Sequence, residues 1–273
     1  MEKTFDVNVA TISSQVDIIT HCIGIETMPL GNMRDIEIEK LKSAFPANRH
    51  VLFLAAKNAH KNSRFEMAKY FYTAALEQYP NDSKIWNNLG VLYKDHYKNK
   101  EEALKCFTNA LEINVSDAYV YTNLASLYAD YFDDEQKAAV NYLKAIEFDP
   151  QNPHAYLNYA RLLVKYADSS HVEQFLKAEK YYQIAIQLDN QIVEAYYNLA
   201  NVQWDNLKKF EEAKENYLMA IQLKPDFYQA MVNLASLYLE DFNDLDSAKI
   251  YYSKAQLIVP SLKIEEIESK INN

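Results

Sequence analysis

Asparagine residues recur along this chain at a nearly constant spacing. The side-chain amide of asparagine carries two hydrogen-bond donors and an acceptor oxygen, so it can bind the backbone of another polypeptide without depending on its side chains. An apolar residue and then Gly or Ala follow each of these asparagines. The series is Asn88, Asn123, Asn158, Asn198 and Asn233, with intervals of 35, 35, 40 and 35 residues. Such a period is typical of a solenoid, which offers a long surface rather than one deep pocket.

A second series confirms the period and indicates the elements that carry it. Each alanine of this series is followed four residues later by an aromatic residue and three residues after that by another alanine. Steps of four and three place these residues on one face of a helix. Proline closes most units and would stop the helix there. We therefore predict two antiparallel helices per repeat, the first carrying the asparagine and the second the alanines. The leading alanines are Ala68, Ala103, Ala138, Ala178, Ala213 and Ala248.

These repeats resemble the tetratricopeptide repeat family. The resemblance covers residues 49–260 and implies an all-α fold, a right-handed superhelix of about six helix-turn-helix repeats. Most units have one extra residue between the helices, and the fourth has a longer insertion near Asp168 and His171. The fullest match to the family signature is Trp86, Leu89, Gly90, Tyr93, Ala103, Phe107 and Ala110, which lacks only the closing proline.

The repeat register sets the expected domain boundaries. The repeats are expected at residues 49–82, 83–117, 118–152, 153–192, 193–227 and 228–262. Residues 261–273 are predicted to form a capping helix, because apolar residues at helical spacing alternate with charged ones.

Residues 1–48 are expected to form a helical cap on the first repeat. Ile12, Val16, Ile19 and Ile23 have helical spacing, and a second helix is predicted after the break at 28–31. Phe5, Val7 and Val9 alternate as in a strand. An alternative is that this apolar segment lies in the groove of its own chain or of another copy.

The composition excludes several classes of protein. Only 3 glycines occur in 273 residues, too few for a phosphate-binding loop. The net charge of −10 argues against nucleic acid and anionic membranes as partners. The beginning of the chain lacks the features of a signal peptide, and no apolar run is long enough to span a membrane. We therefore expect a cytoplasmic protein, either a monomer or a weak homodimer.

The residues that could carry catalysis or bind a metal are scattered. Cys22 and Cys106 suggest neither a disulfide framework nor a metal cluster. Cys22 lies next to His21, but adjacent residues do not face each other on a helix. No cofactor or metal is therefore expected, and the chain is not expected to be an enzyme. The alternative is an active site within residues 1–48 or within the insertion from Asp168 to Gln174.

The tetratricopeptide resemblance implies where the asparagines lie. In such a superhelix the first helices line the concave face. Each asparagine lies about 200° around its helix from the small residue that faces the second helix, so it points away from that contact. The series is similar to the asparagine ladder of O-linked N-acetylglucosamine transferase superhelices, which implies that it binds an extended peptide. Alternatively, asparagine is simply common at this place in the family and makes local contacts.

Acidic residues follow four of the five asparagines by seven positions. These are Asp95, Asp130, Asp205 and Glu240, with Lys165 in the remaining repeat. Seven positions are about two helical turns, so the acids share the asparagine face and favour a basic ligand. Ordinary solvation of an acidic protein is the alternative interpretation. Positions just before the asparagines vary and are expected to select the ligand; they include Tyr119, His154 and Tyr197.

Together these features predict a protein-interaction scaffold. Its expected partner is a protein or peptide with an extended, basic segment that lies along the asparagines. The alternative is a regulatory subunit that docks through its convex face or its N-terminal segment while the groove stays idle.

Overall fold

The steps of three and four residues between apolar positions produce helices. The structure is a computed structural model that describes residues 15–168 and 170–271. These residues contain helices and turns but no strand, which confirms the all-α prediction. The chain divides into two units, Met1–Phe132 and Asp133–Asn273.

Seven α-helices lie in the described part of the first unit. They are α1 (Gln15–Glu26), α2 (Asn32–Ala44), α3 (Arg49–Lys61), α4 (Phe65–Gln78), α5 (Ser83–Asp95), α6 (Lys100–Ile113) and α7 (Ala118–Leu127). A π-helical turn over Tyr128–Phe132 continues α7. The residues Phe5, Val7, Val9 and Ile12, on which part of the N-terminal prediction rests, lie outside the described residues.

Eight α-helices lie in the described part of the second unit. They are α8 (Glu135–Phe148), α9 (Pro153–Tyr166), α10 (Val172–Leu188), α11 (Val193–Asn201), α12 (Phe210–Leu223), α13 (Tyr228–Glu240), α14 (Leu245–Ile258) and α15 (Glu265–Ile271). A π-helical turn over Val202–Asn206 continues α11. We call α3, α5, α7, α9, α11 and α13 the first helices, and α4, α6, α8, α10, α12 and α14 the second helices.

Small residues let the paired helices approach closely. The leading alanines of the second helices are all fully buried, as are the alanines seven positions later. Gly90 on α5 lies against α6, where an added Cβ atom would be 2.7 Å from Cε1 of Phe107. The prediction that the small residue of each first helix faces the second helix is thus confirmed for this pair.

Aspartate and asparagine side chains start several first helices. The side-chain oxygens of Asn48, Asp82, Asp117 and Asn152 accept backbone N–H groups in the first turns of α3, α5, α7 and α9. Such caps satisfy donors that have no partner within the helix.

Five of the six first helices are followed by a turn that contains a non-glycine residue with a positive φ angle. Positive φ angles occur at Ser63, Lys98, Asp133, Lys208 and Asn243. After α3, the N–H of Arg64 donates to the carbonyl of Ala59 at 2.8 Å, and the N–H of Ser63 donates to the carbonyl of His60 at 3.0 Å. These bonds are those of a Schellman turn, formed here without glycine. After α7 and α11 the π-helical turns widen the helix, which is how a helix accommodates one additional residue.

The insertion in the fourth repeat lengthens a helix. α10 has 17 residues, whereas α8 and α12 have 14 each. Phe175 in its first turns is buried, but Val172 and Leu176 are 49% and 45% exposed. The insertion therefore presents two apolar side chains to solvent.

Helices also lie at both ends of the described chain. α1 and α2 pack with α3, and Ile25 and Leu41 are fully buried there. In α15, Ile267 is buried against α13 and α14, and Tyr252 donates a hydrogen bond from its hydroxyl to Glu268 at 2.9 Å. No helix in the described ranges is long and apolar enough to cross a membrane.

Candidate functional site

The five asparagines all lie on first helices and are half-buried. In α5, Asn88 is two residues before Gly90, which packs against α6. The asparagine therefore lies on the side of the first helix away from the second helix. In each unit we call this side of the first helices the first-helix face; it carries Asn88 and Asn123 in the first unit, and Asn158, Asn198 and Asn233 in the second.

In the first unit, both asparagine amides bond within the protein. Asn88 donates from Nδ2 to the backbone oxygen of Lys84 in its own helix at 2.7 Å. Asn123 on α7 donates from Nδ2 to Oδ1 of Asn87 on α5 at 2.9 Å. The second bond joins two neighbouring first helices, so Asn123 has a structural role whatever else it binds.

In the second unit, Asn233 has several internal partners. Its Nδ2 lies 2.9 Å from Oδ1 of Asn201 and 3.2 Å from the hydroxyl of Tyr197. Asn201 also accepts a hydrogen bond from the hydroxyl of Tyr217 on α12, at 2.6 Å. These bonds tie α13 to α11 and α11 to α12.

Asn158 on α9 and Asn198 on α11 differ from the other three. Both are half-buried, and within the described ranges no side-chain hydrogen bond is found for either. Their donors can bind a ligand without breaking a bond inside the protein.

The four acidic residues at the ends of the first helices are exposed to solvent. In the first unit, Asp95 lies 3.4 Å from Nζ of Lys94, which also donates to the hydroxyl of Ser126 on α7. In the second unit, Asp205 follows α11 and Glu240 ends α13. Loss of nearby water raises the pKa of Asp205, and Lys208 opposes this shift. Asp130 lies in the π-helical turn after α7.

The residues expected to select a ligand have different environments. Tyr119 on α7 is 65% exposed, and His154 on α9 is also exposed. Tyr197 on α11 is half-buried, with its ring centre 4.9 Å from that of Phe227. Of these three residues, Tyr119 and His154 are therefore the exposed ones.

Among the described residues of the insertion, Ser170 and His171 do not form a nucleophile and base pair. In the insertion, the hydroxyl of Ser170 bonds to Asp168 at 2.5 Å, and Nδ1 of His171 lies 3.0 Å from the same carboxylate. All three side chains are exposed. His171 therefore contacts the carboxylate of Asp168 and not the hydroxyl of Ser170. Activation of a hydroxyl nucleophile requires a base that accepts its proton.

The two cysteines are buried in the helix packing. Burial, together with Glu26, raises the pKa of Cys22 to about 11. Burial, with a smaller contribution from Glu102, also raises the pKa of Cys106 to about 12. A thiol with a raised pKa is a poor nucleophile at neutral pH. Among the residues that the structure describes, no group of three or more His, Cys, Asp or Glu is placed to hold a metal.

Sequence reasoning missed a buried polar network in the second unit. Glu179 on α10 accepts hydrogen bonds from Gln203 at 3.0 Å and from Lys209 at 2.6 Å, and Asn216 on α12 donates to Gln203 at 2.8 Å. Glu179 and Gln203 are almost fully buried. The sequence contains one indication of this network: Gln203, a polar residue, occupies the repeat position that is Tyr93 in the second repeat. The network connects α10 and α12 through Gln203 in the π-helical turn between them.

Comparison with known structures shows the same fold in proteins of low sequence identity. YrrB, described as a tetratricopeptide repeat protein with an unusual peptide-binding site, is 22% identical, with 74% of this chain and 97% of that chain covered and a TM-score of 0.55. PilF of Pseudomonas aeruginosa is 16% identical, with coverage of 82% and 97% and a TM-score of 0.69. A chain of the Cut9–Hcn1 hetero-tetramer of APC/C is 12% identical, with coverage of 99% and 49% and a TM-score of 0.71.

A search of curated protein sequences finds no match. Models of the tetratricopeptide repeat, in contrast, match this chain over residues 71–105 and 141–180, and over residues 118–152, 193–227 and 228–261. These matches together cover more than half of the chain. The chain therefore belongs to the tetratricopeptide repeat family.

Proposed function

We propose that this protein is an interaction scaffold that binds an extended, basic segment of a partner protein along its first-helix face. Proteins of this family generally act as scaffolds, and YrrB is described as having a peptide-binding site. The observation that carries the proposal is the combination, on one face, of half-buried amides with exposed carboxylates.

The chemistry of this face suits a polypeptide backbone. Asn158 and Asn198 have amide groups that face no internal hydrogen-bond partner in the described part of the chain. An extended segment has unpaired backbone N–H and C=O groups at regular intervals, which such amides can bind. Tyr119 adds an exposed aromatic ring on the same kind of helix.

The charge of the protein favours a basic partner. The net charge is −10, and Asp95, Asp130, Asp205 and Glu240 are all exposed. Complementary charge increases the rate of encounter and disfavours acidic competitors such as nucleic acids. We further propose that the protein acts in the cytoplasm, as a monomer or a weak homodimer.

An affinity pull-down tests the proposal. Tagged wild-type protein and the triple variant Asn123→Ala, Asn158→Ala, Asn198→Ala are incubated with a lysate of the native cell, and bound proteins are quantified by mass spectrometry. We expect the triple variant to lose partners that share a lysine- or arginine-rich extended segment. Raising the salt concentration should weaken the same partners, because salt screens exposed charges.

A matched control separates loss of binding from loss of folding. Thr108, Gln183 and Ser253 occupy one repeat position on the second helices and are all exposed, so their triple alanine variant should keep every partner. Circular dichroism establishes that both triple variants are folded. Retention of all partners by the folded asparagine variant contradicts the proposal.

A regulatory subunit that docks through its outer face is the second candidate. The exposed Val172 and Leu176 on α10 favour it, because they lie four residues apart and share one face of the helix. Leu176→Glu should then remove partners that the asparagine variant keeps. If Leu176→Glu loses no partner, the outer face near α10 is not a docking site.

A further inference from the structure

We propose that α9 and α11 bind the partner segment through the amides of Asn158 and Asn198, and that Arg161 binds a carboxylate of that segment. This inference rests on the proposed function of the first-helix face and names the part of it that binds. It also predicts that the basic segment of the partner contains one acidic residue.

The five asparagine amides differ in their internal hydrogen bonds. Asn88, Asn123 and Asn233 already donate hydrogen bonds to Lys84, Asn87 and Asn201. A peptide that used these donors would have to break an internal bond for each bond gained. Asn158 and Asn198 have no such bond in the parts of the chain described, so a ligand there replaces only water.

The charge on the first-helix face is reversed on α9. Arg161 lies three residues after Asn158 and so shares its helix face. It is exposed, and no ion pair is found for it in residues 15–168 and 170–271. The equivalent positions hold the uncharged residues Val91, Ser126, Asn201 and Ser236.

A second basic residue of α9 adds to the reversal. Lys165 is exposed on the same face as Asn158, and its Nζ also lies 4.0 Å from Asp133. Glu194 on α11 and Asp205 in the π-helical turn after it are, in contrast, exposed acids. A guanidinium group donates two parallel hydrogen bonds to a carboxylate, which makes arginine a good partner for Asp or Glu. The ligand therefore has an acidic residue over α9 and basic residues towards α11.

Selection from a random peptide library provides the probe. Peptides displayed on phage are panned against the full-length protein, and enriched peptides are synthesised and measured by fluorescence anisotropy. We expect enriched sequences to carry an acidic residue flanked by basic ones. Replacing that Asp or Glu by its amide should weaken binding to the wild type about tenfold, the scale of a good charged contact. The same replacement should change the affinity for the Arg161→Gln variant less than twofold. The four affinities form a double-mutant cycle for the proposed contact.

The amides are tested with the same peptides. Asn158→Ala and Asn198→Ala should each weaken binding about fivefold to tenfold, as expected for loss of one or two hydrogen bonds. Gln183→Ala, an exposed amide on α10, is the matched control and should change binding less than twofold. Thermal unfolding of each variant establishes that it is folded.

The outcomes separate this inference from the proposed function. Enriched peptides that bind all these variants equally overturn the inference, and the scaffold proposal then depends on other parts of the face. Weakening by the asparagine variants without coupling to Arg161 overturns the carboxylate contact. Failure to enrich any peptide counts against the proposed function itself.

Discussion

Asn233 donates a hydrogen bond from Nδ2 to Oδ1 of Asn201 at 2.9 Å, and this bond joins two neighbouring first helices of the second unit. Asn198 occupies the same repeat position as Asn233, but no such bond is found for it among the described residues. The same residue in the same repeat position thus has two different environments. Asn233 is bonded between two repeats, whereas the amide of Asn198 has no side-chain hydrogen bond in the described ranges.

Asn233→Ala should therefore destabilise the protein more than Asn198→Ala. Loss of an internal hydrogen bond costs about 1 kcal/mol, and leaving the Asn201 oxygen short of a partner adds to it. Asn198→Ala should change stability by less than about 0.5 kcal/mol, since alanine is the better helix former. Urea unfolding followed by circular dichroism measures both values. Equal midpoints for the two variants would show that the Asn233 bond contributes nothing.

Removal of the hydroxyl group should have different effects on stability at Tyr72 and at Tyr217. The Tyr72 hydroxyl is buried and has no hydrogen-bond partner in the described chain, whereas the Tyr217 hydroxyl donates to Asn201 at 2.6 Å. Phe107 fills the same repeat position, so a phenyl ring fits there. Tyr72→Phe should be neutral or stabilising, and Tyr217→Phe should cost about 1 kcal/mol. A larger cost for Tyr72→Phe in urea unfolding would indicate an internal partner for its hydroxyl.

Gly90→Ala should destabilise the second repeat despite the higher helix propensity of alanine. Its Cβ atom would lie 2.7 Å from Cε1 of Phe107 and 3.1 Å from Cβ of Cys106. Overpacking of this kind costs about 1–3 kcal/mol. Combining Gly90→Ala with Phe107→Leu should recover part of the loss in thermal unfolding. If the double variant is less stable than the sum of both changes, the contact with Phe107 is not the cause.

The stability of the first unit should fall in mildly acidic solution because of His60. Burial lowers the pKa of His60 below its usual value of 6.5; Asp95 opposes this shift and His96 adds to it. The unfolded chain therefore binds a proton more readily, so stability is complete above pH 6.5 and falls as the pH decreases below it.

Urea unfolding at pH 7.5 and pH 5.5 checks this prediction. The wild type should lose more stability between the two values than His60→Gln does. Some loss should remain in the variant, because burial also lowers the pKa of His50. Thr108→Ala, at an exposed position of α6 that carries no titratable group, is the control and should lose as much stability as the wild type. An identical loss in His60→Gln and the wild type would contradict the assignment to His60.

Much of the fold could be predicted from the sequence because the same small and aromatic residues recur at the packing positions of each repeat. Ala103, Phe107 and Ala110 are at helical spacing, and all three are fully buried on α6. The turns are less predictable. An extra residue can enlarge a loop or widen a helix, and the widening after α7 and α11 depends on the packing around Ala129 and Val202.

The state of each asparagine could not be predicted from its local sequence. Asn198 and Asn233 are both followed by Leu-Ala. Of the two, Asn233 alone donates a hydrogen bond to an asparagine of the preceding first helix, Asn201. That acceptor lies 32 residues away and is positioned by Tyr217 on another helix. Internal partners of this kind depend on tertiary packing, whereas the exposure of Asp95 and Tyr119 follows from helix geometry.

Site-specific photo-crosslinking tests the central claim most directly. A benzophenone amino acid replaces either Tyr119 on the first-helix face or Val172 on the outer side of α10, which are 65% and 49% exposed. After irradiation in native lysate, mass spectrometry identifies the crosslinked partner peptides. The scaffold account predicts crosslinks from position 119 to extended segments rich in lysine or arginine. Crosslinks from position 172 alone, or crosslinks from position 119 to segments without basic residues, would contradict it.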